Sequence, residues 1–321
     1  MSFAYYDPAS IQFGVIRGQL HSGERRIVPV DDAVQTLLWQ MILDTRSAMG
    51  FDGAQVNLPR YEPSEDYGSA SRLALPLRSP LASQLQDFYE SENLPIDAGA
   101  LAEPQEITAY FGVVHDQENN KLVAIKRASQ FKAVLKAHLI TVIDDSLHVV
   151  TDNVFKLDSD FDLLIVDRTI QIHRVAAFEH LAEIDEQVQA AAVENARQLG
   201  ASLPALGFDS IADYVAGHKR AARIVAALRT RDDLSSTSVT NFRRECKRSG
   251  VEVKTVDGKL CPEDGNELAF LQMLDRRRYA VSLVAGRWEQ YEASSRKGVG
   301  VREREAEGQP VRTERVARPR N

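Results

Sequence analysis

The stretch that decides the fold is LITVIDDSLHVVTDNVFKLDSDFDLLIVDRTIQIH, residues 139–173. Short apolar runs alternate there with Asp-rich turns, and the runs follow one another too closely for crossover helices to fit between them. Just before it, ITAYFGVVHDQENNKLVAIKR (107–127) places two β-prone runs around a polar turn, which is the pattern of a hairpin. Together these stretches predict a largely antiparallel sheet built from hairpins over about residues 107–173.

The apolar period changes after the predicted sheet. AAFEHLAEIDEQVQAAAVENARQLG (176–200) has helical spacing, and three further helices are expected before Gly250. VEVKTVDGKL (251–260) predicts a small hairpin turned by Asp257–Gly258, and another hairpin is expected to close this part of the chain. The sequence therefore predicts an α+β fold, in which the sheet is followed by a helical C-terminal part with small hairpins.

Charge is distributed unevenly along the chain, although the net charge is only −7. Residues 1–120 hold 7 basic and 17 acidic residues, whereas residues 201–321 hold 23 and 17. This asymmetry indicates either different partners for the two ends or uneven solubilising charge. We expect an N-terminal α/β region (1–106), a core of sheet and basic helices (107–297) and a disordered, charged tail (298–321).

Two features of the sequence indicate where the protein works. The two cysteines, Cys246 and Cys261, are too few for a secreted disulfide framework, which favours a reducing compartment. The N-terminal MSFAYYDPASIQFG lacks a basic start followed by an apolar run, and no apolar stretch approaches the length of a membrane span. We therefore expect a cytoplasmic protein that needs a partner to be held at a membrane.

Basic side chains cluster in three segments of the C-terminal part. The middle segment, SVTNFRRECKRSG, lies between a predicted helix and a predicted hairpin, an order reminiscent of a winged helix whose basic helix neutralises DNA phosphates. A solvated helix face with routine Arg and Lys is the alternative, and phosphate contacts carry no sequence specificity. The candidate DNA-binding residues are Lys219, Arg220 and Arg223, then Arg243, Arg244, Lys247 and Arg248, and finally Arg276, Arg277 and Arg278.

Motifs for catalysis and cofactors are lacking in the sequence. It contains no P-loop, no HExxH, no Cys/His ligand quartet and no GxSxG, so no cofactor, metal or catalytic residue is predicted. The alternate Asp158, Asp160 and Asp162 lack the Gly and Glu of a calcium loop and are interpreted as a solvated turn. Glu252 and Lys254 allow a second hypothesis, a Mg²⁺-dependent nuclease, although the same spacing recurs twice nearby.

Several short motifs resemble those of a known family. They are an FK pair (Phe131–Lys132), FKLD (155–158), an FD-initiated hairpin (161–172) and an FE pair (Phe178–Glu179). As a set they resemble the family of Kiwa anti-phage defence protein B, the KwaB-like family, over about residues 107–290. The motifs are typical of a scaffold rather than of a catalytic site, so they indicate membership better than mechanism.

The resemblance implies a function that composition and spacing do not. The family belongs to a two-component bacterial anti-phage system, whose other subunit is a small multi-span membrane protein. The resemblance implies a cytoplasmic subunit that binds double-stranded DNA, associates with itself and with the membrane subunit, and obstructs phage replication or transcription. The expected function is DNA binding by a homodimer that is held at the inner membrane face. The alternatives are the Mg²⁺-dependent nuclease and an adaptor that binds only protein.

Overall fold

The computed structural model describes Phe3, Tyr5 and residues 8–51, 57–68, 70–101, 106–128, 140–143, 146–149, 155–284 and 287–293. The chain divides into two compact units, Met1–Ser236 and Thr237–Asn321. SQFKAVLKAHL (129–139), whose sequence predicts a helix, lies outside the described residues, and so does the tail expected over 298–321.

The first unit is organised around one antiparallel sheet. Seven strands form it, and every neighbouring pair is antiparallel, which confirms the predicted α+β fold class. The strands described in this unit are β1 (Pro8–Arg17), β2 (Glu24–Val28), β3 (Leu73–Pro76), β4 (Ile107–Asp116), β5 (Lys121–Arg127), β6 (Ile140–Ile143), β7 (Ser146–Val149), β8 (Leu163–Val166) and β9 (Thr169–Ile172). Their order in the sheet is β2-β1-β4-β5-β8-β9-β3.

The sheet extends well beyond the segment in which it was expected. β1, β2 and β3 come from residues 1–106, and β1 pairs with β4 while β3 pairs with β9. The boundary expected at residue 106 therefore lies inside the sheet of the first unit. β6 and β7 pair only with each other in a separate two-stranded sheet, so not every strand of the 139–173 stretch joins the large one.

Both faces of the sheet are covered, which explains why β4 and β5 are buried along almost their whole length. Helix α1 (Asp32–Ala48) packs Leu38, Met41 and Ile42 against one face. Helices α2 (Ser83–Glu90) and α3 (Val175–Leu181) cover the other. A strand with two buried faces loses the simple alternation of apolar and polar residues, as these strands do.

The helix expected over 176–200 is two helices. α3 ends at Leu181 and α4 (Asp185–Ser202) begins after a break at Glu183, whose φ of 53° lies in the left-handed region. The helical spacing of apolar residues continues across the break, because both helices bury apolar side chains in the same core. The sequence therefore predicted a single helix. Helices α5 (Ala212–Gly217) and α6 (Lys219–Arg229) pack against α4 and complete the unit.

The second unit alternates helices with hairpins. The helices are α7 (Val239–Arg248) and α8 (Glu267–Leu274), and the strands are β10 (Val253–Val256), β11 (Lys259–Pro262), β12 (Arg278–Val284) and β13 (Arg287–Glu292). Asp257 and Gly258 turn the β10–β11 hairpin with φ of 49° and 77°, so the predicted turn is confirmed. Among the described residues of the whole chain, none of the helices has the length and apolar character needed to cross a membrane.

Candidate nucleic-acid interface

Helix α7 is a well-capped element. The side chain of Ser238 accepts a hydrogen bond from the backbone N–H of Asn241 at 3.3 Å, which caps the start of the helix. At the other end, Val251 N–H donates to the carbonyl of Cys246 at 2.9 Å, and Gly250 N–H donates to Lys247. With Gly250 at a φ of 64°, this is the Schellman arrangement that satisfies the last carbonyls of a helix. The basic segment is therefore held as a defined helix.

One face of α7 is buried and the other carries cations. Phe242 and Cys246 point into the core of the second unit, and burial raises the pKa of the Cys246 thiol to about 12, so it is an unreactive packing residue. Arg243, Arg244 and Lys247 are exposed. The fold of this unit therefore uses the apolar side of the helix and leaves the basic side in water.

Contacts to the neighbouring hairpins orient the basic side of α7. Arg243 Nη2 donates to Thr255 Oγ1 of β10 at 2.7 Å, which ties the helix to the first hairpin. The guanidinium of Arg248 lies over the ring of Trp288 on β13, 4.9 Å from its centroid. Arg248 also pairs with Glu245 one turn earlier, at 3.0 Å. The cations thus lie on a helix that contacts two hairpins, β10–β11 through Arg243 and β12–β13 through Arg248.

The end of α7 is fixed closely against the last hairpin. Gln290 Nε2 donates to the carbonyl of Arg248 at 3.3 Å, and Arg278 Nε donates to the carbonyl of Ser249 at 2.8 Å. A Cβ on Gly250 would collide with the Gln290 amide, so the approach itself requires glycine here. The hairpin and the end of the basic helix therefore keep one relative position.

The triple arginine has mixed roles. Arg277 pairs with the fully buried Asp275, and Arg278 is committed to the Ser249 carbonyl. Arg276 is exposed, with a φ of 60°. Of these three predicted DNA-binding residues, Arg277 therefore holds the end of α8 and Arg278 ties β12 to the end of α7, which leaves Arg276 as the most accessible cation of the three.

The basic residues of α6 lie in the first unit and are engaged there. Arg223 pairs with Glu179 of α3, which is only 8% exposed, and donates to the carbonyl of Glu65 at 3.1 Å. Lys219 pairs with the exposed Asp185 at 2.5 Å, and Arg220 is exposed. Arg223 balances a buried carboxylate, so this segment is weaker as a candidate interface than α7.

The three alternate aspartates also face cations. Lys126, which is 4% exposed, lies 2.7 Å from Asp160 and 3.1 Å from Asp162. Arg174 contacts the same two carboxylates at 2.7 and 3.0 Å, and Asp158 pairs with Lys156 at 2.9 Å. These aspartates form ion pairs rather than the solvated turn that the sequence indicated.

The residues of the nuclease hypothesis lie on the surface of the second unit. Glu252 precedes β10 and is exposed, and Lys254 Nζ contacts Asp264 at 3.0 Å. The upstream Asp233 pairs with its neighbour Arg231. Within the part of the chain that the structure describes, no group of three or more His, Cys, Asp or Glu side chains is arranged to hold a metal ion.

A cavity of about 470 Å³ opens in the first unit between β1, β4 and the α3–α4 junction. Its polar wall includes Glu183 and Asp185, which are already paired with His21 at 3.0 Å and Lys219 at 2.5 Å. Burial lowers the pKa of His180 in the same wall, and Arg127 and Lys219 lower it further, so this imidazole is neutral at pH 7. The wall therefore offers a ligand little uncompensated charge.

Comparison with known proteins identifies the family. The family described as Kiwa protein KwaB-like matches residues 107–284, more than half of the chain. The chain belongs to the KwaB-like family. Its role is therefore in anti-phage defence. No curated protein and no solved structure gives a significant match to the chain.

The motifs that resemble the KwaB-like family build the scaffold. Phe155 packs edge-on against Tyr110, and Phe161 is fully buried beside the same ring. Phe178 is fully buried against Tyr61, and Glu179 is the partner of Arg223. The FK pair at 131–132 lies outside the described residues. The KwaB-like match also includes α7 and the β10–β11 hairpin, so the basic helix lies within the family region.

Trp288 is a residue of this surface that basic clustering does not reveal. It is 50% exposed and adjoins Arg248, four residues beyond the end of the KwaB-like match. The signal in the sequence is the strand RWEQYE, where a tryptophan stands between charged neighbours on a short hairpin.

Proposed function

We propose that this KwaB-like chain acts in anti-phage defence by binding DNA without sequence specificity, through the exposed cations of α7. Bound protein would obstruct replication and transcription of phage DNA by occupancy, without cleaving it. The observation that supports this most is the division of α7 into a buried apolar side and a side on which Arg243, Arg244 and Lys247 are exposed.

The electrostatics of α7 favour a polyanion as its partner. The helix holds four basic residues and one acidic residue, whereas residues 237–293, which include it, hold 10 basic and 9 acidic residues. Within this almost neutral stretch, α7 is therefore a local concentration of positive charge. Lys and Arg side chains that neutralise phosphates release condensed counterions, which supplies most of the affinity of non-specific DNA binding.

The test compares the wild-type chain with Arg243→Ala/Arg244→Ala/Lys247→Ala/Arg248→Ala on a 20-bp duplex of mixed sequence. We expect affinity to fall at least tenfold at low salt, for every sequence alike. Lys219→Ala/Arg220→Ala on α6 is the matched control and should retain most of the affinity. Unchanged binding by the fourfold variant would refute the assignment to α7.

Two further measurements keep the outcome clear. Because Arg248 also packs on Trp288, Arg244→Ala/Lys247→Ala is tested beside the fourfold variant as the change that disturbs the fold least. Incubation of the wild type with plasmid and Mg²⁺ or Mn²⁺ separates binding from the nuclease alternative. Metal-dependent cleavage that is lost in Glu252→Ala would favour the enzyme, whereas gel retardation abolished by salt favours the binder.

The partners expected from the resemblance remain proposals. We propose that the protein works in the cytoplasm as a homo-oligomer and is held at the inner membrane face by a multi-span membrane subunit. Co-purification with the product of a neighbouring reading frame that encodes such a protein would support this. A protein that stays monomeric in light scattering and is recovered without that product would contradict it.

A further inference from the structure

Trp288 lies at the rim of the basic surface rather than away from it. Its ring is half-exposed, and the guanidinium of Arg248 covers one part of it at 4.9 Å from the centroid. The Gln290 side chain, two residues along β13, donates to the carbonyl of the same Arg248. Side chains two apart on a strand share a face, so Trp288 and Gln290 both lie on the α7 side of the hairpin.

The opposite side of the hairpin carries a second set of exposed aromatic rings. Tyr279 and Tyr291 are paired in register and stack with their centroids 5.8 Å apart. Tyr291 OH donates to Glu289 Oε2 at 2.7 Å, so a carboxylate adjoins this pair. The α7 side of this hairpin therefore carries an indole beside Arg248, and the other side carries a tyrosine pair beside Glu289.

We infer that the α7 surface binds single-stranded DNA, with Trp288 stacking on an unpaired base while the cations of α7 contact the phosphates. The inference rests on the proposed DNA-binding function. Every base has a π-face that can stack on an indole, whatever its identity, so this contact preserves non-specific binding. In a duplex the base faces are already stacked on one another, so the indole can reach only unpaired bases.

Arg248 connects the two halves of this site. Its guanidinium lies close to the ring of Trp288, and Arg248 follows Lys247 directly in the sequence of α7. A base stacked on the indole would therefore bring its own phosphate within reach of α7. The contact between guanidinium and ring also gives the indole a defined orientation before DNA arrives. A protein partner could also use an exposed tryptophan, but the contact with Arg248, which belongs to the basic helix α7, favours a polyanion, and the test below separates the two.

The experiment measures the binding of the full chain to fluorescent dT20 and to a 20-bp duplex at the same salt concentration. In Trp288→Leu we expect affinity for dT20 to fall about fivefold or more, while affinity for the duplex changes less than about twofold. Trp288→Phe, which keeps an aromatic ring, should retain most of the dT20 affinity. Tyr279→Leu, on the other side of the hairpin, should leave both affinities unchanged.

The results distinguish failure of this inference from failure of the proposed function. If the wild type binds neither probe, or the fourfold α7 variant binds both as well as the wild type, the DNA-binding function itself is wrong. If the duplex is bound in an α7-dependent way but Trp288→Leu lowers the two affinities equally or not at all, only the stacking role is wrong. Loss of dT20 binding in Tyr279→Leu would instead place the contact on the opposite side.

Discussion

Two groups of basic side chains, one in each unit of the protein, are used in opposite ways. In the first unit, Lys126 and Arg223 are largely buried and each is matched by a carboxylate that the fold also buries. In the second unit, Arg243, Arg244 and Lys247 of α7 are exposed on a helix whose stability depends on its apolar side. Clusters of Arg and Lys that look alike in the sequence therefore have different roles, which burial and pairing reveal.

The largest effect is expected at Lys126. Lys126→Met removes the buried cation that lies between Asp160 and Asp162 and leaves the half-exposed Arg174 to balance them, so we expect the free energy of unfolding to fall by about 3 kcal/mol or more. Lys156→Met is the control, because Lys156, unlike Lys126, is exposed, and an ion pair with a solvent-exposed lysine contributes about 1 kcal/mol at most. Urea titration measures the free energy of unfolding of both variants. Equal losses in Lys126→Met and Lys156→Met would contradict the distinction between buried and exposed ion pairs.

A somewhat smaller loss is expected at Arg223. Arg223→Ala leaves the carboxylate of Glu179 in the interior with only Tyr61 OH as a donor, at 2.8 Å, and should destabilise the protein by about 3 kcal/mol. Lys219→Ala on the same helix removes an exposed pair and should cost less than about 1 kcal/mol. Comparable stability of the two variants would show that Arg223 belongs with the surface cations.

The ion pairs of Asp160 predict a pH dependence. Burial by itself raises the pKa of Asp160, but Lys126 and Arg174 outweigh it and hold the pKa below its ordinary value. A carboxylate with a depressed folded pKa contributes stability above its unfolded pKa of about 4, and this contribution is lost as pH falls through the folded pKa. Asp160→Asn should therefore be less stable than wild type at pH 7, by about 1 to 2 kcal/mol.

The same urea titrations at pH 3 give the check. The gap between Asp160→Asn and the wild type should narrow there, because pH 3 lies below the unfolded pKa of Asp160, where the contribution of its charge to stability is already falling. A gap that stays constant from pH 7 to pH 3 would mean that Asp160 contributes through packing rather than through its charge.

The smallest of these stability effects is expected at Gly250. Gly250→Ala places a Cβ at a positive φ and against the Gln290 amide, so we expect a loss of about 1 to 2 kcal/mol. Gly217→Ala has open space around its Cβ and is the matched control in a thermal unfolding scan. A neutral Gly250→Ala would indicate that the last hairpin is not held tightly against the end of α7.

The parts of the fold that local chemistry determines could be predicted from the sequence. Asp257–Gly258 supplies the two positive φ angles that a tight hairpin needs. In the β4–β5 hairpin the two paired strands follow one another along the chain, so the turn between them marks the pairing. The pairing of β1 with β4 and of β3 with β9 joins segments about a hundred residues apart. Neither a turn motif nor the spacing of apolar residues indicates which distant strand pairs with which. The sequence therefore did not predict that β1, β2 and β3 join the sheet.

The candidate site follows the same division. The sequence indicated a basic helix before a hairpin, and in α7 the structure leaves Arg243, Arg244 and Lys247 exposed. The commitment of Arg223 to Glu179 depends on a residue 44 positions earlier, which spacing along one helix cannot reveal. Trp288 likewise gains its neighbour Arg248 only when the last hairpin folds back against α7. Long-range pairing thus decides which cations remain accessible.

The most direct test of the central claim is the salt dependence of duplex binding by Arg244→Ala/Lys247→Ala, compared with the wild type. We expect the slope of log affinity against log salt to become shallower by about two, one for each phosphate contact removed, with the free energy of unfolding changed by less than about 0.5 kcal/mol per substitution. An unchanged slope in a folded variant would contradict the assignment of DNA binding to the exposed cations of α7.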